Sequence, residues 1–274
     1  MAASDLRLMT LAQLTGGEDW RLAIAHDREE HLMIWTTRGQ GRLLMNGTRR
    51  GVGPHNAIFV PSRTLFSLEL GRQAMGQVLV VPPGHALTFP GIPRQLRIRD
   101  VDVMTELSRL IDSAKREQQA ARPLAAQSLE AYAALIAVWL QRQCGLEEHA
   151  APRPNAAARL TDAYCARVTT FYAEALTMAD HAAVLDVTPT HLTRACKAAT
   201  GKTAAELLTE RVLYEARVLL ATTRIPAQDI ARYLGFGSAA YFTRFIQQHC
   251  GSTPTALRRA ARGPQVLQPQ RTAA

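Results

Sequence analysis

No apolar run in this chain is long enough to cross a bilayer. The longest, residues 131–140, falls well short of the roughly 20 residues a membrane helix needs. The opening stretch Met1-Ala2-Ala3-Ser4-Asp5-Leu6-Arg7 lacks the apolar core of a secretory signal, so a soluble, cytoplasmic protein is expected. Cysteine is scarce: Cys144, Cys165, Cys196 and Cys250 stand far apart and match neither a disulfide framework nor a zinc site, which leaves them as small buried hydrophobes. Acidic residues are also in short supply, 23 against 32 Lys and Arg, for a formal net charge of +9. The deficit is uneven. Positions 1–150 hold 17 basic and 15 acidic residues, whereas positions 151–274 hold 15 and 8. A polyanion is the natural partner of the second half, and nucleic-acid phosphate fits better than a membrane surface, because no long amphipathic basic helix or lipidation motif is present. The length of 274 residues fits two domains whose cores need neither metals nor disulfides.

What the second half does contain is a pattern used twice. Ala182, Leu185, Val187, Leu192 and Thr193-Arg194 precede Gly201-Lys202-Thr203, and Ala231, Leu234, Phe236, Phe242 and Thr243-Arg244 precede Gly251-Ser252-Thr253. Two helices crossing steeply leave room only for a small residue at their contact, and Ala182 and Ala231 supply it. Gly235 suits a left-handed turn between the helices, and Asp186 is a short polar substitute in the first copy. Thr188 followed by Pro189 reads as an N-cap and first helical position. One copy alone would read equally as a plain helical hairpin; two in register, each with a Thr-Arg pair on its second helix, point to a repeated helix-turn-helix.

The run Ile230-Ala231, Leu234-Gly235-Phe236, Tyr241-Phe242-Thr243-Arg244-Phe245, Gly251, Pro254 and Arg258 carries a resemblance. Residues 160–259 resemble the DNA-binding domain of the AraC/XylS family of bacterial transcription regulators. The resemblance implies two helix-turn-helix units joined by a long helix, here residues 204–222, with both second helices presented to successive major grooves on one DNA face.

On the first second-helix, Leu192 and Cys196 lie one turn apart and face inward, leaving Thr190, Thr193, Arg194 and Lys197 outward. Arg194 has the reach and fork geometry for guanine O6 and N7, the threonines suit a base edge or thymine methyl, and Lys197 suits a phosphate. The matching positions of the second copy are Ala239, Ala240, Thr243 and Arg244. The two alanines carry no hydrogen-bonding side chain where related proteins often have polar ones. The first copy plus Arg244 is therefore expected to carry most hydrogen-bond readout, with the second copy anchoring and sensing thymine methyls or DNA shape.

The first half reads as strands. Residues 32–37 and 42–45, the Asn46-Gly47 hairpin signal, and residues 57–60, 65–70 and 77–81 form a series of short segments separated by turn residues. Many short strands favour a barrel or sandwich. Their order resembles the cupin-like sensor barrel found ahead of AraC-type domains. Cupin enzymes carry two histidines and a glutamate before a Gly-x-Gly turn and a later histidine; here His26 and His31 precede Gly39 without the glutamate, no histidine follows Pro61, and His55 and His85 stand alone. No catalytic residue, metal ligand or cofactor is assigned. Alternation puts His31, Met33 and Trp35 on one strand face and Leu32, Ile34 and Thr36 on the other. The first face, with Met45 and Phe59 opposite, is expected to line an effector pocket, the alternative being that these residues only fill the barrel.

The expected fold class is an α+β multidomain chain with five parts. A cupin-like β-barrel sensor spans residues 1–100 and a helical dimerisation and connector segment 101–146, the latter on apolar stripes at Val103, Leu107, Leu110, Ile111, Ala114 and at Leu129, Tyr132, Ile136, Leu140 with Leu135 and Trp139, the alternative being that both helices only pack on the barrel. A linker covers 147–158, an all-α domain with two helix-turn-helix motifs 159–262, and a disordered tail 263–274. Function is expected to be sequence-specific transcriptional regulation without enzymatic activity, with double-stranded promoter or operator DNA as partner. RNA polymerase and a small-molecule effector are candidate partners, homodimer the expected assembly, and no membrane is involved. The alternatives are a cupin-type enzyme with an accessory DNA-binding domain and an effector-independent regulator.

Overall fold

The computed structural model describes residues 6–45, 47–120, 122–146, 149 and 153–262. Its first part consists of β1 (Arg7–Thr10), two short helices α1 (Leu11–Thr15) and α2 (Trp20–Ala23), and strands β2 (His31–Arg38), β3 (Gly41–Met45), β4 (Thr48–Val52), β5 (Asn56–Val60), β6 (Phe66–Leu70), β7 (Met75–Val81) and β8 (Arg94–Arg97). All ladders are antiparallel. They make a five-stranded sheet in the order β1-β7-β2-β5-β8 and a three-stranded sheet in the order β4-β3-β6. Met45 pairs with Thr48 and Gly47 takes a φ of 61°; Asn46 of the expected hairpin signal lies outside the described residues.

The expected barrel is not closed. Where the sheet would continue from β8 to β4, the link is a side-chain bond, Gln95 Nε2 donating to the Gly51 carbonyl at 2.8 Å, in place of a backbone ladder. At the opposite seam α1 packs on β7 and α2 on β6, so helices occupy the space another strand pair would need. The result is an open sandwich. Its inner layer joins Leu32, Ile34, Ile58, Val78 and Val80 to Leu43, Met45, Phe66 and Leu68 of the smaller sheet.

The outer face of the larger sheet is covered by α3 (Val101–Ala120) and α4 (Ala125–Cys144). Met33, Trp35, Phe59 and Leu79 pack there against Leu107, Ile111, Leu129, Ile136, Trp139 and Leu140. Most of the helical stripes read from the sequence packs on the sheet, but Leu135 of the second stripe stays exposed, with Val138, on the far side of α4. Much of the expected linker 147–158 and the whole tail 263–274 lie outside the described residues. The next helix, α5 (Ala156–Phe171), starts inside the expected linker because Asn155 caps it, its side chain accepting the Ala158 N–H at 2.8 Å.

The remaining helices are α6 (Met178–Val184), α7 (Pro189–Thr200), α8 (Ala204–Thr222), α9 (Ala227–Tyr233), α10 (Ala239–Cys250) and α11 (Pro254–Arg262). They form two cores on α8. Tyr164, Val168, Ala182, Leu192, Cys196, Ala204 and Leu207 make the first, and Val212, Ala216, Leu220, Ile230, Ala231, Phe242 and Ile246 the second. The smaller sheet closes the first core: Leu44 of β3 and Leu65, just before β6, pack into it beside Ala25. A Cβ on Gly47 would lie 2.5 Å from the Ala158 carbonyl, so the β3–β4 turn reaches α5 only because it carries glycine there.

At this seam His26 is fully buried, stacked on Tyr214 with ring centroids 4.0 Å apart and tilted against Phe66 at 4.5 Å. Its Nδ1–H donates to the Ile24 carbonyl at 2.8 Å, and Nε2 is buried with no hydrogen-bond partner among the described residues. Burial, with Arg28 and Arg211 nearby, holds its pKa down to about 3. The unfolded chain therefore takes up a proton that the folded chain refuses. Stability contributed by neutral His26 is complete above about pH 6.5 and is lost as pH falls towards about 3, by on the order of 1 kcal/mol per pH unit. Asp27, paired with Arg211, is the acidic group beside it. The unfolding midpoint of the full chain should fall between about pH 7 and about pH 5, and His26→Phe, which keeps a ring in the stack, should flatten that fall. Equal slopes in the two proteins would contradict the assignment.

Candidate nucleic-acid interface

The two helix pairs are built on the same local rules. In the first, Asp186 takes a left-handed φ of 53° and the Val187 N–H returns to the Ala182 carbonyl at 3.1 Å; in the second, Gly235 takes a φ of 75° and the Phe236 N–H returns to the Ala231 carbonyl at 2.9 Å. The turn thus has one hydrogen-bond pattern written twice. Ala182 and Ala231 are both fully buried at the helix contact, where a larger side chain has no space. The turn also presses on the segment just after α5: a Cβ at Gly235 would lie 2.9 Å from the Ala173 carbonyl.

Each second helix is capped alike. Thr188 accepts the His191 N–H at 3.2 Å, with Pro189 following, and Ser238 accepts the Tyr241 N–H at 3.1 Å. Gly201 and Gly251 end the helices in left-handed conformation, with φ of 78° and 66°. Capping residues at both ends free the outward side chains from any role in holding the helix.

The 12-residue helices α7 and α10 bury matching faces, Leu192 with Cys196 and Phe242 with Ile246. Thr190, Arg194 and Lys197 are exposed on α7, as are Ala239, Ala240 and Arg244 on α10, while Thr193 and Thr243 are half-buried at the edges of those faces. The structure thus brings the eight expected positions onto two surfaces of one domain. The Thr243 hydroxyl donates to the Ala239 carbonyl at 2.9 Å, which leaves its lone pairs available. Tyr241 was not among the expected residues. It is 55% exposed one turn ahead of Arg244 and gives α10 the hydrogen-bonding group its two alanines lack. Its place after an Ala-Ala pair at the start of the helix was the available signal; in the sequence it entered only as one residue of the run that carries the resemblance.

The five residues expected to line an effector pocket are divided. His31, Met33, Trp35 and Phe59 share the face covered by α3 and α4, with Phe59 beside Met33 in the ladder and not across from it. His31 Nδ1 accepts the Ser62 N–H at 3.1 Å, and burial lowers its pKa. Met45 lies in the other layer, between the sheets. No group of three or more His, Cys, Asp or Glu side chains converges among the described residues. Among those residues, too, no helix is long and apolar enough to cross a membrane.

Residues 181–260 match a family model described as a helix-turn-helix domain. Among curated proteins there is no match. Solved structures with similar folds include the C-terminal domain of the response regulator YesN from Fusobacterium nucleatum, 23% identical over 34% of this chain and 91% of that one, with a TM-score of 0.33. The C-terminal domain of the response regulator AraT from Geobacillus stearothermophilus is 24% identical over 44% and 98%, with a TM-score of 0.38. ToxT from Vibrio cholerae O395 is 12% identical over 93% and 94%, with a TM-score of 0.41. Likenesses this distant say nothing about what this chain binds.

Proposed function

We propose that the protein is a sequence-specific DNA-binding transcriptional regulator. One observation carries the reading: two capped helices of equal length, joined by α8, both keep their outward faces exposed within the full chain. A helix of 19 residues spans about 28 Å, which is commensurate with reaching from one major groove towards the next on the same DNA face. Arg194 reads a base edge and Lys197 a phosphate; on α10, Arg244 and Tyr241 supply the polar contacts, and Ala239 and Ala240 allow close approach to thymine methyls.

The N-terminal sandwich is read as the sensing unit. Its aromatic layer is filled by Trp139 and Ile136 from α4, so the space for an effector lies elsewhere. A cavity of about 310 Å³ opens between α1, α2 and β6, walled by Leu11, Leu22 and Leu68, with Thr15, Asp19, Glu69 and Arg72 as its polar groups. That volume suits a small amphipathic molecule. Such a ligand, found by thermal-shift screening, should raise the melting temperature of the wild-type chain and change its DNA affinity by linkage, and Ala23→Trp, which fills the cavity, should abolish both effects. A ligand that acts equally on the variant would place the sensor site elsewhere.

The DNA reading is tested by binding titrations of the full chain on fragments it selects from a random pool. Arg194→Ala should cost about 1 to 3 kcal/mol and relax specificity at one base position. Lys197→Ala should weaken cognate and scrambled DNA alike and lower the salt slope by about one. Failure of the wild-type chain to select any sequence would overturn the function, and equal losses by Arg194→Ala on cognate and scrambled DNA would overturn the base-reading role.

A further inference from the structure

Two faces of α8 are taken by the two helix-turn-helix cores, the first core packing on Ala204 and Leu207 and the second on Val212, Ala216 and Leu220. Further along α8 the stripe that begins with Ala204 and Leu207 continues through Arg211 and Tyr214, with Glu210 and Arg217 beside it, and residues 20–27 of the N-terminal unit meet all four. Glu210 accepts the Ala25 N–H at 3.0 Å. Arg211 forms a buried ion pair with Asp27. Tyr214 lies flat on His26, 14° from parallel, and edge-on to Trp20 at 5.6 Å, and the Arg217 guanidinium stands over the Trp20 ring at 4.0 Å.

Neighbouring residues of this segment enter different cores. Ala25 is buried in the first core, while Ile24 packs on the second. Arg211 ties the two further, since its guanidinium sits 3.7 Å from the ring of Tyr172, which packs on both cores, and its Nη1 donates to Glu215 at 3.0 Å.

Apolar burial alone would let the rod slide or turn against the sheet, because it has no preferred direction. A buried ion pair, a backbone N–H bonded to a carboxylate and a stacked ring pair each fix direction as well as distance. The outward faces of α7 and α10 stay exposed in this docked arrangement, so the contact holds the DNA-reading helices without covering them.

We infer that residues 24–27 are positioning residues of the DNA interface: by gripping α8 and both cores at once they fix α7 against α10 and so set which spacing between two half-sites the protein accepts. This rests on the DNA-binding reading above. The N-terminal unit would then contribute to specificity without touching a base.

The experiment uses the full chain and a site that the wild type selects from a random DNA pool, rebuilt with its two halves one or two base pairs closer or farther apart. Wild type should lose affinity steeply off the selected spacing. Asp27→Asn, which keeps shape and removes the charge, should bind the selected spacing nearly as well but reduce the penalty for wrong spacing by about fivefold or more. Asp27→Glu should restore the wild-type profile in part. Ile24→Ala, which leaves every charge in place, should also flatten it and keeps the test open if the buried Arg211 left unpaired by Asp27→Asn prevents folding. Wild-type profiles in the folded variants, or a flat profile in the wild type itself, would overturn the assignment alone. A wild type that selects no DNA would overturn the DNA-binding reading and this inference with it.

Discussion

A guanidinium buried in the middle of a helix has to be matched on every side, and Arg211 is matched by the carboxylate of Asp27, the carboxylate of Glu215 and the ring face of Tyr172. Removing one partner of such a charge costs several kcal/mol, because the remaining ion stays desolvated. That constraint ties three parts of the molecule that share no secondary structure: the strand-rich unit through Asp27, the first helix-turn-helix through Tyr172 at the end of α5, and the connecting rod through Arg211 itself. Around it the less directional contacts assemble, with Leu44 of the smaller sheet and Leu65 just before β6 closing a core that α5, α7 and α8 leave open.

The two copies of the repeated unit are not equivalent in this setting. The first has Ala25, Leu44 and Leu65 in its core and a charged rim in which Lys202 bonds Glu210 at 2.6 Å and approaches Glu69, itself near Arg49. From the N-terminal unit the second core receives Ile24. Its first helix has Pro226 at the N-cap and no side-chain cap, where the first copy has the reciprocal Thr177 and Asp180 capping box. The better-anchored copy is also the one with more polar groups on its outward face.

How much of this was legible in the sequence depended on the range of the interaction. The helix pairs were readable because their determinants are local: a small residue at the crossing, Asp186 or Gly235 at the left-handed turn, Thr188 before Pro189, glycine at the end. Helix α8 falls on the expected residues 204–222. Strands β2, β5 and β7 showed as runs of Leu, Ile, Val and Phe. Strands β1, β4 and β8 did not, because Thr48-Arg49-Arg50-Gly51-Val52 and Arg94-Gln95-Leu96-Arg97 are edge segments with little apolar alternation. Barrel closure could not be judged, since it depends on seams filled by two short helices and a glutamine side chain. Nor could the docking of residues 24–27, whose partner Arg211 lies 184 positions away; His26 looked like a stray candidate ligand and proves to be a buried stacking group.

The central claim is that α8 holds two DNA-reading helices in one fixed relation on one side of the molecule. Hydroxyl-radical footprinting of the full chain on its selected site tests this directly. The account predicts two protected patches on the same face of the duplex, separated by about one helical turn, roughly 10 base pairs. A single patch, or two patches on opposite faces, would contradict it.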